Sequence, residues 1–306
     1  MGKVLLAVVL LASACTQNPD NPPGGGGSGG GGGAGGGGGG GIVLGPDDVL
    51  LEMTPFLVKS TEEHFKCQNF ANPFGGERVE VQEWESHMAQ GSHHLLVFYE
   101  NGASNGPLED CPGLEFAKGP YGAQTPDAKI TYPPGIASVI EGNQGLRFAS
   151  HYLNVSQQDV MASVKLIIRR AKPGSVQHRA SVFFFNNTNI LLGMSDAEQP
   201  LTKTCTVPRD VYFLFSTGHM HKRGRSLTAT VNGKTIYRTT SWDFAPFTQH
   251  TPPLFLAAGT DVTFTCMVRN IDVPLLTFGE SAERNEMCIF DGQFYPDPSG
   301  NGLNCL

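Results

Sequence analysis

The chain has 306 residues, 40% of them hydrophobic, and a formal net charge of -7, which is enough apolar material for two ordinary cores. No basic stripe is present to neutralise phosphates, so nucleic acid is excluded as a partner. A charged fraction of only 16%, 21 prolines and no clear long amphipathic helix point to β structure.

Lys3 and the apolar run Val4 to Leu11 read as an export signal too short to span a bilayer. The segment ends in Leu11-Ala12-Ser13-Ala14-Cys15, which resembles a bacterial lipobox with Cys15 as the lipidated residue. An ordinary signal peptide cut at Ala14 is the alternative. Residues 1–15 are thus assigned to the signal and 16–45 to a tether. Positions 24–41 are glycine apart from Ser28 and Ala34, a composition that forms no core. About 26 residues between Cys15 and Ile42 reach roughly 25–30 Å as a flexible coil. The expectation is an exported monomer, lipid-anchored to a bacterial membrane.

The folded part begins near Ile42. Val79–Trp84, His93–Tyr99, Arg147–Val155, Val164–Ile168 and Ser181–Phe185 are short, β-branched or aromatic runs. Gly, Pro, Asn and Asp clusters interrupt them, as in a β-sandwich with long loops. After a polar break at Ser195–Pro200 come Val211–Ser216, Ser226–Val231, Lys234–Thr239, Val262–Val268 and Met287–Tyr295. Asn232-Gly233 is a hairpin signal. Two domains are expected, 46–197 and 199–306.

Besides Cys15, six cysteines remain: Cys67, Cys111, Cys205, Cys266, Cys288 and Cys305. An even number in an exported chain reads as disulfides, with 15 pairings open in principle. Thiolate ligation of a metal is the alternative.

Chemistry concentrates in a few residues. His219 and His221 are two apart at the end of an apolar run, and period two puts them on one strand face. Met287 lies just before Cys288. Imidazole suits several first-row metals, and a thioether is soft and selects Cu(I). His93-His94 opens another strand. Neighbours on a regular strand face opposite ways, so both reach one ion only if the backbone is irregular, which Gly91-Ser92 permits. His151 ends the run Leu146–Ala149. His64, His87, His178 and His250 read as surface or satisfied core histidines.

In this order and spacing the chain resembles the copper type II, ascorbate-dependent monooxygenases, the family of peptidylglycine α-hydroxylating monooxygenase and dopamine β-monooxygenase. The resemblance covers roughly residues 50–306. It rests on His93-His94 in H-H-L-L-V-F, His151-Tyr152 after Tyr132-Pro133-Pro134-Gly135, and His219-Met220-His221 followed by Gly224. Thr277-Phe278-Gly279-Glu280, Glu286-Met287-Cys288 and Tyr295-Pro296 complete it. It implies an all-β fold of two tandem jelly-roll-like sandwiches separated by an open, solvent-filled cleft, with one copper in each. His93, His94 and His151 would form the electron-storing site, and His219, His221 and Met287 the site where O2 and a small-molecule substrate meet. It implies the disulfides Cys67–Cys111, Cys205–Cys305 and Cys266–Cys288, two copper ions per chain, and ascorbate or a similar reductant.

The resemblance stops at the substrate. The peptide-amidating members hold the substrate carboxylate with an Arg two residues before the first His of H-x-H; here that position is Thr217. Their Asn and Tyr two and four residues after the Met ligand are replaced by Ile289 and Asp291. Asp291 is a candidate to hold a cationic amine, with a solvated loop carboxylate as the alternative, and Arg223 and Arg225 are candidates to meet an anion. A non-catalytic copper-binding surface protein of the same fold is the runner-up, and a zinc-dependent or structural adhesion module a third reading.

Overall fold

The computed structural model describes residues 42–112 and 118–306. The signal segment, Cys15 and the glycine run lie outside the described residues. The fold is all-β: among the described residues every regular element is a strand.

Four larger sheets, of six, five, five and four strands, make up most of the fold. The first is built on the strands Val79–Met88, Val164–Arg170 and Ile136–Ile140. The second is built on Glu63–Phe70, Gln144–Leu153 and Ser92–Asn101, all antiparallel. Between them lies one core, with Trp84, Ile130, Phe148 and Leu166 almost fully buried. The third sheet carries Val211–Met220, Cys288–Tyr295 and Ser181–Asn186, and the fourth Gln199–Thr206, Asp261–Val268 and Gly224–Val231. A second core fills the space between these two, dominated by Phe183, Phe213, Phe264, Phe290 and Phe294. Phe183 stacks on Phe213 with ring centroids 4.1 Å apart. Each such ring contributes roughly 1.5–3 kcal/mol by leaving water.

The predicted strands hold within a few residues. The Asn232-Gly233 turn has φ of 50° and 74°, the positive values that a two-residue type I′ hairpin needs. All three expected disulfides are present: Cys67–Cys111, Cys205–Cys305 and Cys266–Cys288.

Two expectations need correction. The change of sandwich falls between Arg179 and Ser181, not at 197–199. The strand Ser181–Asn186 pairs with Cys288–Tyr295 and with Leu303–Cys305, so it belongs to the second half. The polar break at Ser195–Pro200 is a loop inside that half. Nor are the halves separate domains: Val43–Leu306 is one compact unit. Leu214 and Phe215, from the second half, are buried in the first core. The Tyr132 hydroxyl donates to Gln293 Oε1 at 2.7 Å, and Gln293 Nε2 donates back to the Pro120 carbonyl at 2.7 Å. The second and third sheets therefore face each other across a partly closed seam, and the expected open cleft survives as a cavity of 170 Å³ between them.

Candidate metal centre

At one end of that seam the two histidine groups meet. The strand Ser92–Asn101 pairs with Gln144–Leu153 in a register that sets His151 opposite His94 and Tyr152 opposite Ser92. His93 is the extra residue of a β-bulge. A bulge adds one residue on one strand and re-aims its side chain, which lets His93 and His94 point to a common centre. Gly91, with φ of 92°, supplies the left-handed backbone just before it. The irregularity anticipated at Gly91-Ser92 is thus a bulge at His93.

The second group is set by one strand pair. Val211–Met220 runs antiparallel to Cys288–Tyr295, with His219 opposite Ile289 and Met220 opposite Cys288. His221 and Met287 each lie one residue beyond the last pair of this register. Cross-strand partners share a sheet face, so His219, His221 and Met287 lie on the face turned toward the first half. The Cys266–Cys288 disulfide ties this strand to the fourth sheet directly beside Met287.

The sequence groups do not stay apart. His93 lies 5.0 Å from His151 and 5.3 Å from His94 between ring centroids, and also 5.0 Å from His219 and 5.8 Å from His221. Its ring belongs to two possible ligand triads, His93/His94/His151 and His93/His219/His221. The expectation of two sites facing each other across open solvent is therefore corrected to one continuous, buried cluster. His93 is 4% exposed, His151 1%, His219 7%, His221 0% and Met287 5%.

The donor atoms are oriented by neighbours. Gln124 Oε1 lies 2.8 Å from His219 Nδ1, and the Asn285 carbonyl 3.2 Å from His221 Nδ1. Each therefore takes an Nδ1–H and leaves Nε2 as the lone pair. Glu63 Oε1 holds His151 Nε2 at 3.0 Å, leaving Nδ1. The freed atoms, His151 Nδ1, His219 Nε2 and His221 Nε2, are buried without a hydrogen-bond partner, and so are His93 Nε2 and His94 Nδ1. Five orphaned ring nitrogens in one place are costly unless something accepts their lone pairs. A metal ion does so, and with Met287 beside them the donor set fits copper.

Burial, reinforced by the neighbouring rings, pushes His93, His94 and His219 well below the ordinary imidazole range, and takes His221 down to about 3. Burial also lowers His151, against the pull of Glu63. All five are neutral at physiological pH, the form that binds metal.

Sequence reasoning missed Glu63, Gln124, Asn285 and Trp242. Glu63 accepts from Ser281 Oγ at 2.8 Å and from the Ala282 amide at 2.9 Å as well as facing His151. It joins the first histidine group to the loop that leads to Met287. Gln124 Nε2 donates to the Gly218 carbonyl at 2.8 Å. The indole of Trp242 lies 5.5 Å from the His93 ring. Glu63, Gln124 and Trp242 reach the site through tertiary packing, for which no local pattern exists, and Asn285, two residues before Met287, acts through its backbone carbonyl. Glu286 was visible in its motif, but its role was not: its Oε1 accepts from the His221 amide at 2.5 Å and the Met287 amide at 3.0 Å.

The cavity runs from this cluster along the seam. His94, His151, His219 and Met287 line it, and so do Lys118, Gly300 and Asn301. Thr217 and Asp291 face each other across the strand pair and both line the cavity. Asp291 is a strand residue in the cavity wall, which corrects its reading as a solvated loop carboxylate. Arg223 is not free for an anionic substrate: it forms a two-point pair with Asp272 at 2.7 and 3.0 Å and donates to the Glu283 carbonyl.

No family model matches the chain, and no curated protein matches it. Among solved structures, the major capsid protein P2 of bacteriophage PM2 is similar over 84% of this chain and 100% of its own, at 7% identity and a TM-score of 0.36. A structure of PNGF-II is similar over 82% of this chain and 60% of its own, at 9% identity and a TM-score of 0.26.

Proposed function

We propose that the chain is an exported, lipid-anchored copper monooxygenase that hydroxylates a C–H bond of a small molecule, using O2 and an ascorbate-type one-electron donor. The observation that carries the reading is the convergence of all five histidines on one buried centre, each with an unpartnered ring nitrogen, next to Met287. Zinc suits this set less well, because it prefers imidazole, thiolate and carboxylate over a thioether. Three disulfides agree with an oxidising compartment.

His93, His94 and His151 would hold one copper, and His219, His221 and Met287 the other. Copper bound there supplies one-electron storage and activation of O2, so that one oxygen atom enters the C–H bond and the other leaves as water. The chain's own residues do the rest. Gln124, Asn285 and Glu63 fix the imidazole tautomers. Glu286 fixes the backbone of His221 and Met287 together. The cavity wall keeps bulk water from these ligands and presents substrate to them.

A second reading, a copper-binding surface protein without turnover, draws on the closed seam and on His93 standing in both triads. Metal analysis and ascorbate-driven O2 consumption of the full-length chain separate the two. Two coppers per chain with O2 uptake coupled to product support the monooxygenase. Two coppers and no coupled turnover on any substrate support the binding protein. Fewer than two coppers per chain argues against the monooxygenase. Met287→Ile should abolish turnover while the copper on His93, His94 and His151 stays bound; surviving activity would remove Met287 from the oxygen site.

A further inference from the structure

We propose that the seam cavity is a subsite for an elongated apolar ammonium ion, with its charged head on Asp291 and its tail toward His219 and Met287. The carboxyl stands in the cavity wall between Thr217 on one neighbouring strand and Phe184 on the other. Its Oδ1 is buried and meets no hydrogen-bond partner. Leu96, Phe98, Val182, Phe247 and Ile289 surround the same space. A carboxylate oxygen buried without a partner is costly, and in apolar surroundings its attraction for a cation is much stronger than in water. Phenylalanine faces add attraction for an ammonium group. Once ionised, above its raised pKa of about 7, the carboxyl repels an anionic ligand and is left uncompensated by a neutral one. Among the described residues no ion pair reaches Asp291: Lys118, the cation that also lines the cavity, donates to Asn301 Oδ1, and burial pushes the Asp291 carboxyl up to about 7.

Strand geometry gives the ligand a length. Met287, Ile289 and Asp291 alternate onto one face of Cys288–Tyr295, and His219 stands level with Ile289. At about 3.3 Å per residue, Asp291 lies roughly 13 Å along the strand from Met287 and roughly 7 Å from the level of His219. The residues that would hold a metal thus stand roughly 7–13 Å along the strand from the carboxyl. An extended chain advances about 1.2 Å per bond, so the oxidised carbon lies roughly six to eight bonds from the nitrogen. A short arylethylamine, with its benzylic carbon two bonds away, does not span that distance. This spacing rests on the copper reading; the ammonium subsite does not.

The test has two arms on the full-length chain. In the first, calorimetry on chelator-treated protein compares n-octylammonium with 1-octanol and octanoate. At least tenfold tighter binding of the ammonium ion is expected, and Asp291→Asn should erase that preference while the variant still melts cooperatively. Equal affinity for amine and alcohol on the unmodified chain would overturn the subsite whatever the variant does, and so would a preference that survives Asp291→Asn. The second arm loads copper and supplies ascorbate, labelled O2 and amines from four to ten carbons. Label inserted six to eight bonds from nitrogen, with coupling best at eight carbons or more, is expected. Insertion within three bonds overturns the spacing. Ammonium selectivity in the first arm with no insertion in the second would overturn the spacing and leave the subsite standing.

Discussion

At the scale of single residues, the site is governed by carboxylates in opposite situations. Burial works to raise Glu63, but hydrogen bonds from His151, Ser281 and the Ala282 amide prevail and hold it down at about 2. A carboxyl lowered on folding stabilises the protein above its unfolded value near 4.5, and that contribution is lost as pH falls toward 2. Glu63→Gln should therefore cost about 1–3 kcal/mol at pH 7, and the gap to the unmodified chain should narrow between pH 5 and 2, as read from urea midpoints. The same substitution should weaken copper binding by about 10–100-fold, because it loosens the orientation of His151. Asp291 has the opposite sign. Burial raises it to about 7, so its stability cost grows as pH climbs from about 4 to 7. Asp291→Asn should match the unmodified chain at pH 4 and exceed it by about 1–3 kcal/mol at pH 8, measured by thermal melting without amine. All the candidate metal ligands were legible in the sequence because they sit in short motifs. Glu63 and Gln124 were not: they reach the rings they orient from 88 and 95 residues away. Asp291 was legible in name and misread in place, since one strand's polar residue looks like a loop residue until its neighbours are known.

At the scale of elements, two local irregularities shape the molecule. The hairpin at Asn232-Gly233 was readable because its turn type demands positive φ, and Gly233 meets nothing within 4 Å of an added Cβ. Gly233→Ala should cost about 1–2 kcal/mol through left-handed strain alone and leave copper affinity unchanged, because the turn joins strands of the fourth sheet. A urea titration and a copper titration test both halves of that statement. The bulge at His93 was only half readable. Two adjacent histidines demanded an irregular strand, but the position of the extra residue depends on register against Gln144–Leu153, a non-local pairing. The same limit explains the misplaced boundary. Ser181–Phe185 reads as a strand in sequence, and nothing in its own residues says which sandwich it joins.

At the scale of the whole molecule, the two cores are joined by Leu214, Phe215, Gln293, Gln124 and Glu63, with His93 among rings of both halves. Unfolding of the described unit should be a single transition. Removing copper with a chelator should lower its midpoint without splitting it, since metal bound only to the folded form stabilises by mass action, by about 2.7 kcal/mol at a hundredfold excess over Kd. Two separate melting steps, one of them insensitive to chelator, would contradict this. The three disulfides bear on the same seam. Cys67–Cys111 lies in the first half, and Cys205–Cys305 and Cys266–Cys288 in the second. Among the described residues the only covalent crossing is the peptide chain at Ala180. The molecule is thus riveted within each half and only laced between them: among the described residues the seam over the histidines is held by hydrogen bonds and packing alone.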